Sequence, residues 1–531
     1  MKCSTWSKVL GVALCSLLTV SNRVAAQENA TQATTTKHHH YKLFDVGTFG
    51  GPYSQYSVPS SAGLNSRGAA TGVADTSALD PTGFFDGFVD HAFVWKDGVT
   101  TDLGTLPGGG SSFAYTINGS GVSVGQSQNA SIDPLTGSPE VRGVIWQKDR
   151  IRDLGTLGGS ASNANAINDQ GQVVGAATNA TPDPFANSPQ GACQVLTTTG
   201  SCSGLTFAFN SLFSNSTTET RAFVWQNGFM RDLGTLGGPD SSALINNNRG
   251  EVAGWSYTSY VANPSTGTPS VDPFFWSPED GKMMDLGGLG GTFGAPFFMN
   301  GQGQVIGVSN LAGDLVVHPF LWSKSEGMKD LGTLGGTYAH PNWVNAEGEV
   351  VGFSDLAGGQ TGHAFLWRHG VMTDLGTIGT DPASEAGSIN SQGQIVGGTF
   401  IFDGPDLHGW LWENGGPLVD LEKLTLPGSG LTVIAGNLIN DRGEIAGRGM
   451  LPNGDIHAIV LIPCDEDHAD VQGCDYDPIE VKTQLQLLPA QSSPTSPANP
   501  VKLSTNELMN RFRPIRAARN HGVGNPQTSP Q

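Results

Sequence analysis

Short apolar runs alternate with glycine-centred turns along most of this chain, and four kinds of run recur in a fixed order. The first, here called A, ends in Asn at Asn65, Asn118, Asn168, Asn246, Asn300, Asn345, Asn390 and Asn440. Run B follows the next Gly and closes on another, at Gly72, Gly125, Gly175, Gly254, Gly307, Gly352, Gly397 and Gly447. Run C carries an aromatic phrase such as HAFLW. It ends at Trp95, Trp146, Trp225, Trp276, Trp322, Trp367 and Trp412, with Leu461 in the last copy. Run D carries Asp-Leu-Gly or a variant, at Asp45, Asp102, Asp153, Asp232, Asp285, Asp330, Asp374 and Asp420. Each run is about five to seven residues of β-branched, aromatic or alternating apolar type. That is strand length and strand content.

The turns agree. Between C and D stand Asp97-Gly98, Asn227-Gly228 and Asn414-Gly415, pairs that accept positive φ in a tight hairpin. Between A and B the Asn can bond its own backbone two residues on, while the following Gly supplies a left-handed position. Four strands in two hairpins make a sheet too small to bury both faces alone. Radial packing into a β-propeller buries them and limits exposed edges. The body begins with a lone D run, YKLFDVG from Tyr41, and ends with a lone C run, HAIVLIP from His457. This order predicts an all-β fold, a β-propeller of eight four-stranded blades closed by the N-terminal strand. Seven blades, or a β-solenoid with its own caps, are the alternatives.

Composition adds limits. Gly numbers 74 and Pro 31, and only 14% of the residues are charged, which leaves few helix-forming runs. The formal net charge of -20 argues against nucleic acid or an anionic lipid surface as partner. Residues 1–26 read as a signal peptide: Lys2 and Lys8, an apolar core VLGVALCSLLTV, then Val24-Ala25-Ala26. No other stretch is suited to cross a membrane, so a secreted, extracellular or periplasmic protein is expected, monomeric and without an integral span. Residues 27–40 read as a polar linker that ends in His38-His39-His40. Residues 41–463 form the repeats, 464–478 an acidic loop, and 479–531 a disordered Pro/Ser-rich tail with a basic end. Four cysteines remain after the signal, and their local spacing in an exported chain pairs Cys193 with Cys202 and Cys464 with Cys474.

The phrases His-Ala-Phe-x-Trp, Asp-Leu-Gly-Thr-Leu-Gly-Gly and Ile-Asn-x-x-Gly-x-Val-x-Gly recur in one order across Tyr41 to Pro463. In this the chain resembles the HAF-family repeats of bacterial extracellular proteins. Departures occur at Gly143, Gly409, Pro273 and Pro319 in run C, and at Asp420-Leu421-Glu422. The resemblance implies export and brings no catalytic residues.

Candidate chemistry is sparse. No nucleophile elbow, phosphate-binding loop or zinc-protease phrase is present. Histidines precede run C at His91, His318, His363, His408 and His457. The first four are candidate ligand-binding residues, with a blade-to-blade hydrogen bond as the plainer role. The Asp of run D recurs in every repeat and is expected to bond the loop that follows. No metal or cofactor is expected; Ca²⁺ at the Asp465–Asp470 loop is the alternative. The A–B and C–D turns lie on one face, and the D–A and B–C connections on the other. The long insertions, the longest from about Ala176 to Thr220, fall in B–C. These features lead to the expectation of an exported, non-enzymatic propeller that binds a glycan or protein partner through its B–C loops. The alternative is a secreted hydrolase or lyase of polysaccharide. It needs paired carboxylates, for which the loops offer Asp75, Asp80, Asp133, Asp183 and Asp272.

Overall fold

The computed structural model describes residues 33–56, 62–80, 87–133, 137, 139–148, 150–185, 217–264, 267–359, 361–401, 405–413 and 415–484. The expected signal peptide, Cys193, Cys202 and most of the tail lie outside the described residues.

The fold is all-β and of β-propeller type, built from repeated antiparallel meanders. One unit shows the plan: A is Gly335–Val344, B Val350–Leu356, C Gly362–Arg368 and D Val371–Gly376. Val344 pairs with Val350, Val350 with Trp367, and Trp367 with Met372. Meanders of this plan start at the A strands Gly50–Gln55, Ser112–Ile117, Gly158–Ile167, Ser241–Asn246, Gly290–Met299, Gly335–Val344, Ala383–Ile389 and Thr432–Ile439. They are numbered one to eight below. Among the described residues, the last has no following D strand of its own. Its C strand, Ile456–Pro463, takes Tyr41–Asp45 instead, in register from Tyr41↔Pro463 to Asp45↔Ile459.

The Asn of each A–B turn does two jobs. In unit two, Asn118 Oδ1 accepts the backbone N–H groups of Ser120 and Val122, both at 3.0 Å. Its Nδ2 donates to Asn168 O of the next unit at 3.1 Å. The same donation runs from Asn65 to Asn118, and on through Asn168, Asn247, Asn300, Asn345, Asn390 and Asn440 back to Asn65, at 2.8 to 3.4 Å. In unit four the turn residue is Asn247, where the sequence pattern pointed to Asn246. Asn246 pairs with Val252 as Ile167 pairs with Val173 in unit three, so it holds the last strand position and the turn begins one residue later. Asn246 instead donates Nδ2 to Gln172 O at 2.8 Å.

Because Asn118 is buried and holds three polar groups, Asn118→Ala should cost about 2–4 kcal/mol. A urea midpoint unchanged from wild type would refute this role.

The Gly of run B has a packing cause. A Cβ on Gly352 would lie 2.1 Å from His340 O, and one on Gly175 2.0 Å from Asn163 O. The bulged A strand occupies that space. Packing continues between units, where Val124 of unit two joins Ile167, Val173, Phe223 and Trp225 of unit three in one apolar cluster. Outside it, D-strand cations cover the next unit's Trp: Arg152 on Trp225 at 5.0 Å, Arg231 on Trp276 at 5.4 Å and Lys329 on Trp367 at 4.9 Å.

The chain ends depart from the sequence expectation. Ala33–His38, read as linker, pairs with Ile479–Gln484, read as the start of a disordered tail. His38 is buried, and its Nδ1 lies 2.7 Å from Glu413 Oε1. Cys464 and Cys474 form the expected disulfide. In the acidic loop between them, Asp465 Oδ1 is taken up by His468 Nδ1 at 2.6 Å. Among the described residues, no helix is long and apolar enough to cross a membrane.

Candidate functional site

The candidate histidines sit at the head of their C strands, each against an aspartate. His91 Nδ1 meets Asp102 Oδ2 at 2.8 Å, His318 meets Asp330 Oδ1 at 2.8 Å, and His363 meets Asp374 Oδ1 at 2.8 Å. These partners belong to the D strand of the same unit, so the bond expected between blades runs within one. His457 makes the same bond to Asp45, at 2.9 Å, across the junction of the chain ends. His408 turns to Asp381 of the preceding D–A loop, at 2.8 Å. The D-strand aspartates also hold that loop, as the sequence suggested: Asp102 Oδ1 accepts Gly104 N–H and Asp330 Oδ1 accepts Gly332 N–H. Burial works to raise the pKa of Asp330. The His318 bond, the Gly332 N–H and the charge of His318 outweigh it and hold the carboxyl below its usual range.

The five acids offered by the loops separate. Asp75 is buried within its B strand, Ala70–Leu79. Asp80 carries its backbone N–H to Gly87 O at 2.9 Å. Asp133 accepts Ser160 Oγ at 2.5 Å. Asp272 replaces the histidine in unit four; burial first, then the charge of Asp285, pushes it up to about 6. Asp183 lies close enough to Glu219 and Asp240 for their charges to act on one another.

That set forms where units three and four meet on the B–C face. Asp183 follows the B strand Val173–Pro182 and closes the ladder, with its N–H on Thr217 O at 3.0 Å. Glu219 lies at the start of the C strand Thr218–Gln226, paired with Arg221 and receiving Asn179 Nδ2 at 3.2 Å. Asp240 comes from unit four, immediately before Ser241, and its Oδ1 accepts Thr220 N–H at 2.7 Å. Tyr260, in the B–C connection of unit four, donates its hydroxyl to Glu219 Oε1 at 2.8 Å.

Electrostatics divide the two aspartates. Burial, then the neighbouring charge of Asp183, pushes Asp240 up to about 8. Asp183 is also raised, by burial and secondarily by Glu219, although the Phe185 N–H opposes this. Burial and the neighbouring carboxylate therefore favour the protonated form of Asp240. Its Oδ1 is occupied as an acceptor, so the proton is free to reside on Oδ2.

A sister interface isolates what is special here. Between units two and three, Asn129 Nδ2 bonds Glu140 Oε2 at 3.3 Å and Arg142 Nη2 bonds the same oxygen at 2.7 Å. Asp133 stands where Asp183 does. The missing member is Asp240. Its place is fixed by the serine after it, Ser241, whose Oγ accepts Ala222 N–H as Ser162 Oγ accepts Gly143 N–H. The residue before Ser162 is Ala161. Asp240 is not among the acids the sequence offers because it lies in a D–A loop, outside the long B–C connections. Aligning the A runs on that serine would have exposed it.

A second buried polar set joins units six, seven, eight and one. His340 Nε2 lies 2.9 Å from Glu385 Oε1, and Arg448 Nη2 lies 2.6 Å from Asp406 Oδ2. Each charge there has a counter-charge, which marks it as cement between units.

No family model matches the chain, and no curated protein matches it. Solved structures of similar shape include the β-propeller domain of the Trilobed protease from Pyrococcus furiosus, at 6% identity and a TM-score of 0.38; the match covers 70% of this chain and 97% of that one. Pyrococcus horikoshii acylaminoacyl peptidase matches at 10% identity and a TM-score of 0.39, over 77% of this chain and 59% of that one. Porphyromonas gingivalis dipeptidyl peptidase 4 matches at 10% and 0.38, over 71% and 55%. The chain thus spans little more than half the length of the two whole peptidases. All three are peptidases or a part of one, so the expectation of a non-enzymatic binding propeller is withdrawn. Their chemistry is their own; the chemical ground in this chain is the acid set around Asp240.

Proposed function

We propose that the chain is an exported hydrolase of polysaccharide, carried on an eight-bladed β-propeller closed by its N-terminal strand. The observation that carries the activity is the placement of buried Asp240, held by Thr220 N–H, beside the carboxyl of Asp183, with burial favouring its protonated form. Glycoside hydrolysis uses such a pair: one carboxyl protonates the leaving oxygen, and the other faces the anomeric carbon directly or through a water. Asp240 is the proton donor in this reading and Asp183 its ionised partner. Glu219, fixed by Arg221, Asn179 and Tyr260, holds the frame. Hydrolysis is favoured over elimination, because a lyase acts on uronates and this acid-rich site would repel them. The return of the Asn donation to Asn65 after eight turns supports the blade count, and the pairing of Tyr41–Asp45 with Ile456–Pro463 supports the closure. The apolar run within residues 1–26 supports export, and the repeated HAF phrases support placing the chain with that family.

Reducing-end release from neutral β-glucans, xylan, mannan and chitin is the test. Wild type should cleave at least one of them. The rate should fall above about pH 8 as Asp240 loses its proton, and fall at the acid end as Asp183 takes one up. Asp183→Asn should lower the rate, and its remaining activity should lose its alkaline limb at lower pH, since the charge that raises Asp240 is gone. A pH-independent rate, or Asp183→Asn at wild-type activity, would remove the assignment.

A further inference from the structure

We propose that Tyr260 is a stacking platform for an uncharged pyranose ring of the substrate. This rests on the hydrolase reading for its place in a reaction, but its own ground is separate.

Most tyrosines here are interior residues; Tyr41, Tyr53, Tyr56, Tyr257 and Tyr338 are all buried. Tyr260 is 53% exposed, and Val261 beside it is 75% exposed. Apolar surface held in water has a cost, and a tyrosine at a loop tip ordinarily reduces it by folding back on the protein. Tyr260 is prevented from doing so at both ends. Its hydroxyl is tied to Glu219 of the neighbouring unit at 2.8 Å. Its backbone belongs to a braced loop, with Thr258 N–H on Ser270 O at 3.0 Å, Val261 N–H on Ser259 Oγ at 3.2 Å and Asn263 N–H on Thr268 O at 2.9 Å. The ring is therefore fixed in orientation with much of its surface open, directly beside the carboxylates.

The other exposed large aromatics among the described residues are elsewhere. Phe229 is in a C–D turn and Tyr476 follows the last C strand, both on the opposite side of the sheets. Among the described residues, the one exposed large aromatic on the B–C side is thus bonded to the acid set itself. A flat π face of this kind takes the apolar C–H face of a sugar ring, while the sugar hydroxyls turn outward to polar neighbours. Glu219 is matched by Arg221 and Asp240 favours its protonated form, so Asp183 sets the charge that the guest meets. A uronate would meet like charge, and a neutral hexose or pentose would not.

The test measures binding apart from turnover. In an Asp240→Asn background, cellohexaose, xylohexaose, laminarihexaose, mannohexaose and chitohexaose are titrated by calorimetry, with hexagalacturonate as the charged control. At least one neutral hexasaccharide should bind. Tyr260→Ala and Tyr260→Leu should weaken it by about tenfold or more with melting temperature unchanged, while Tyr260→Phe, which keeps the ring, should stay within about threefold. Equal binding by Tyr260→Ala, preference for hexagalacturonate, or no binding of any neutral hexasaccharide would overturn the platform. The two readings fail separately. Tyr260-dependent binding with no cleavage by wild type leaves the platform standing and sinks the hydrolase; cleavage that ignores Tyr260 does the reverse.

Discussion

Asp240→Asn should lower polysaccharide cleavage about a thousandfold and, at pH 8, raise the melting temperature by about 2 °C or more. Both effects come from one placement. Asp240 is 8% exposed and shares its surroundings with Asp183. Its ionised form is disfavoured first by burial and then by that neighbour, which moves its pKa from the ordinary aspartate value up to about 8. Below about pH 4 the folded and unfolded chains both carry the proton, and the residue leaves stability unaffected. Between about pH 4 and 8 the unfolded chain releases the proton and the folded chain retains it. Folded protein then binds more protons than unfolded, so stability falls as pH rises through this window. Above the folded pKa the penalty is complete. Asparagine copies the protonated carboxyl in shape and still accepts the Thr220 N–H through Oδ1, but has no proton to lose. The gain in melting temperature should therefore be absent near pH 4 and full at pH 8. Thermal scans of both proteins across that range check it. A variant that melts below wild type at pH 8 would mean that Asp240 is a structural cap. The sister interface, with Ala161 in the same place, argues that the fold does not require the acid.

Repetition made the strands legible, and it also hid what differs between copies. The Asn turns could be read because one side chain supplies an acceptor for two backbone donors inside a five-residue phrase. Its donation to the next unit could not, since nothing local records which carbonyl lies beyond the turn. The B-strand glycines looked like strand ends; the true cause is the A-strand carbonyl 2.1 Å from the missing Cβ of Gly352. The His–Asp pairs were visible as two separate recurrences, and joining them needed the C–D register that sets Phe320 opposite Asp330. Ala33–His38 escaped because its partner strand lies at the far end of the chain, in a segment whose composition reads as disordered. Asp240 escaped for the opposite reason: it interrupts a repeat, and a pattern built from what recurs passes over the single exception. The site is carried by departures from the pattern that carries the fold.

Removing Tyr41–Asp45 should destabilise the chain more than any single substitution. The strand contributes Tyr41 and Leu43, 3% and 7% exposed, to the cluster that holds Val433, Ile459 and Leu461. Phe44 packs on Trp95 of unit one with ring centroids 5.7 Å apart. Its backbone is used on both sides, since Leu426 N–H donates to Tyr41 O at 2.9 Å while the register with Ile456–Pro463 runs the full strand. Three large side chains at roughly 2 kcal/mol each, before the lost ladder, approach the whole stability of an ordinary domain. The deletion also bares the edge of Ile456–Pro463, whose sequence IHAIVLIP would template pairing with another copy. A chain starting at residue 47 should melt far below one starting at residue 39 and should form soluble oligomers detectable by light scattering. The residue-39 chain is the proper reference, because it has already lost Ala33–His38 and the His38–Glu413 contact. Leu43→Asp in the full chain should reproduce most of the loss without shortening anything. Equal melting temperatures for the residue-39 and residue-47 chains would show that the last unit is complete with three strands, and that the N-terminal strand is an ornament on a sheet that never needed closing.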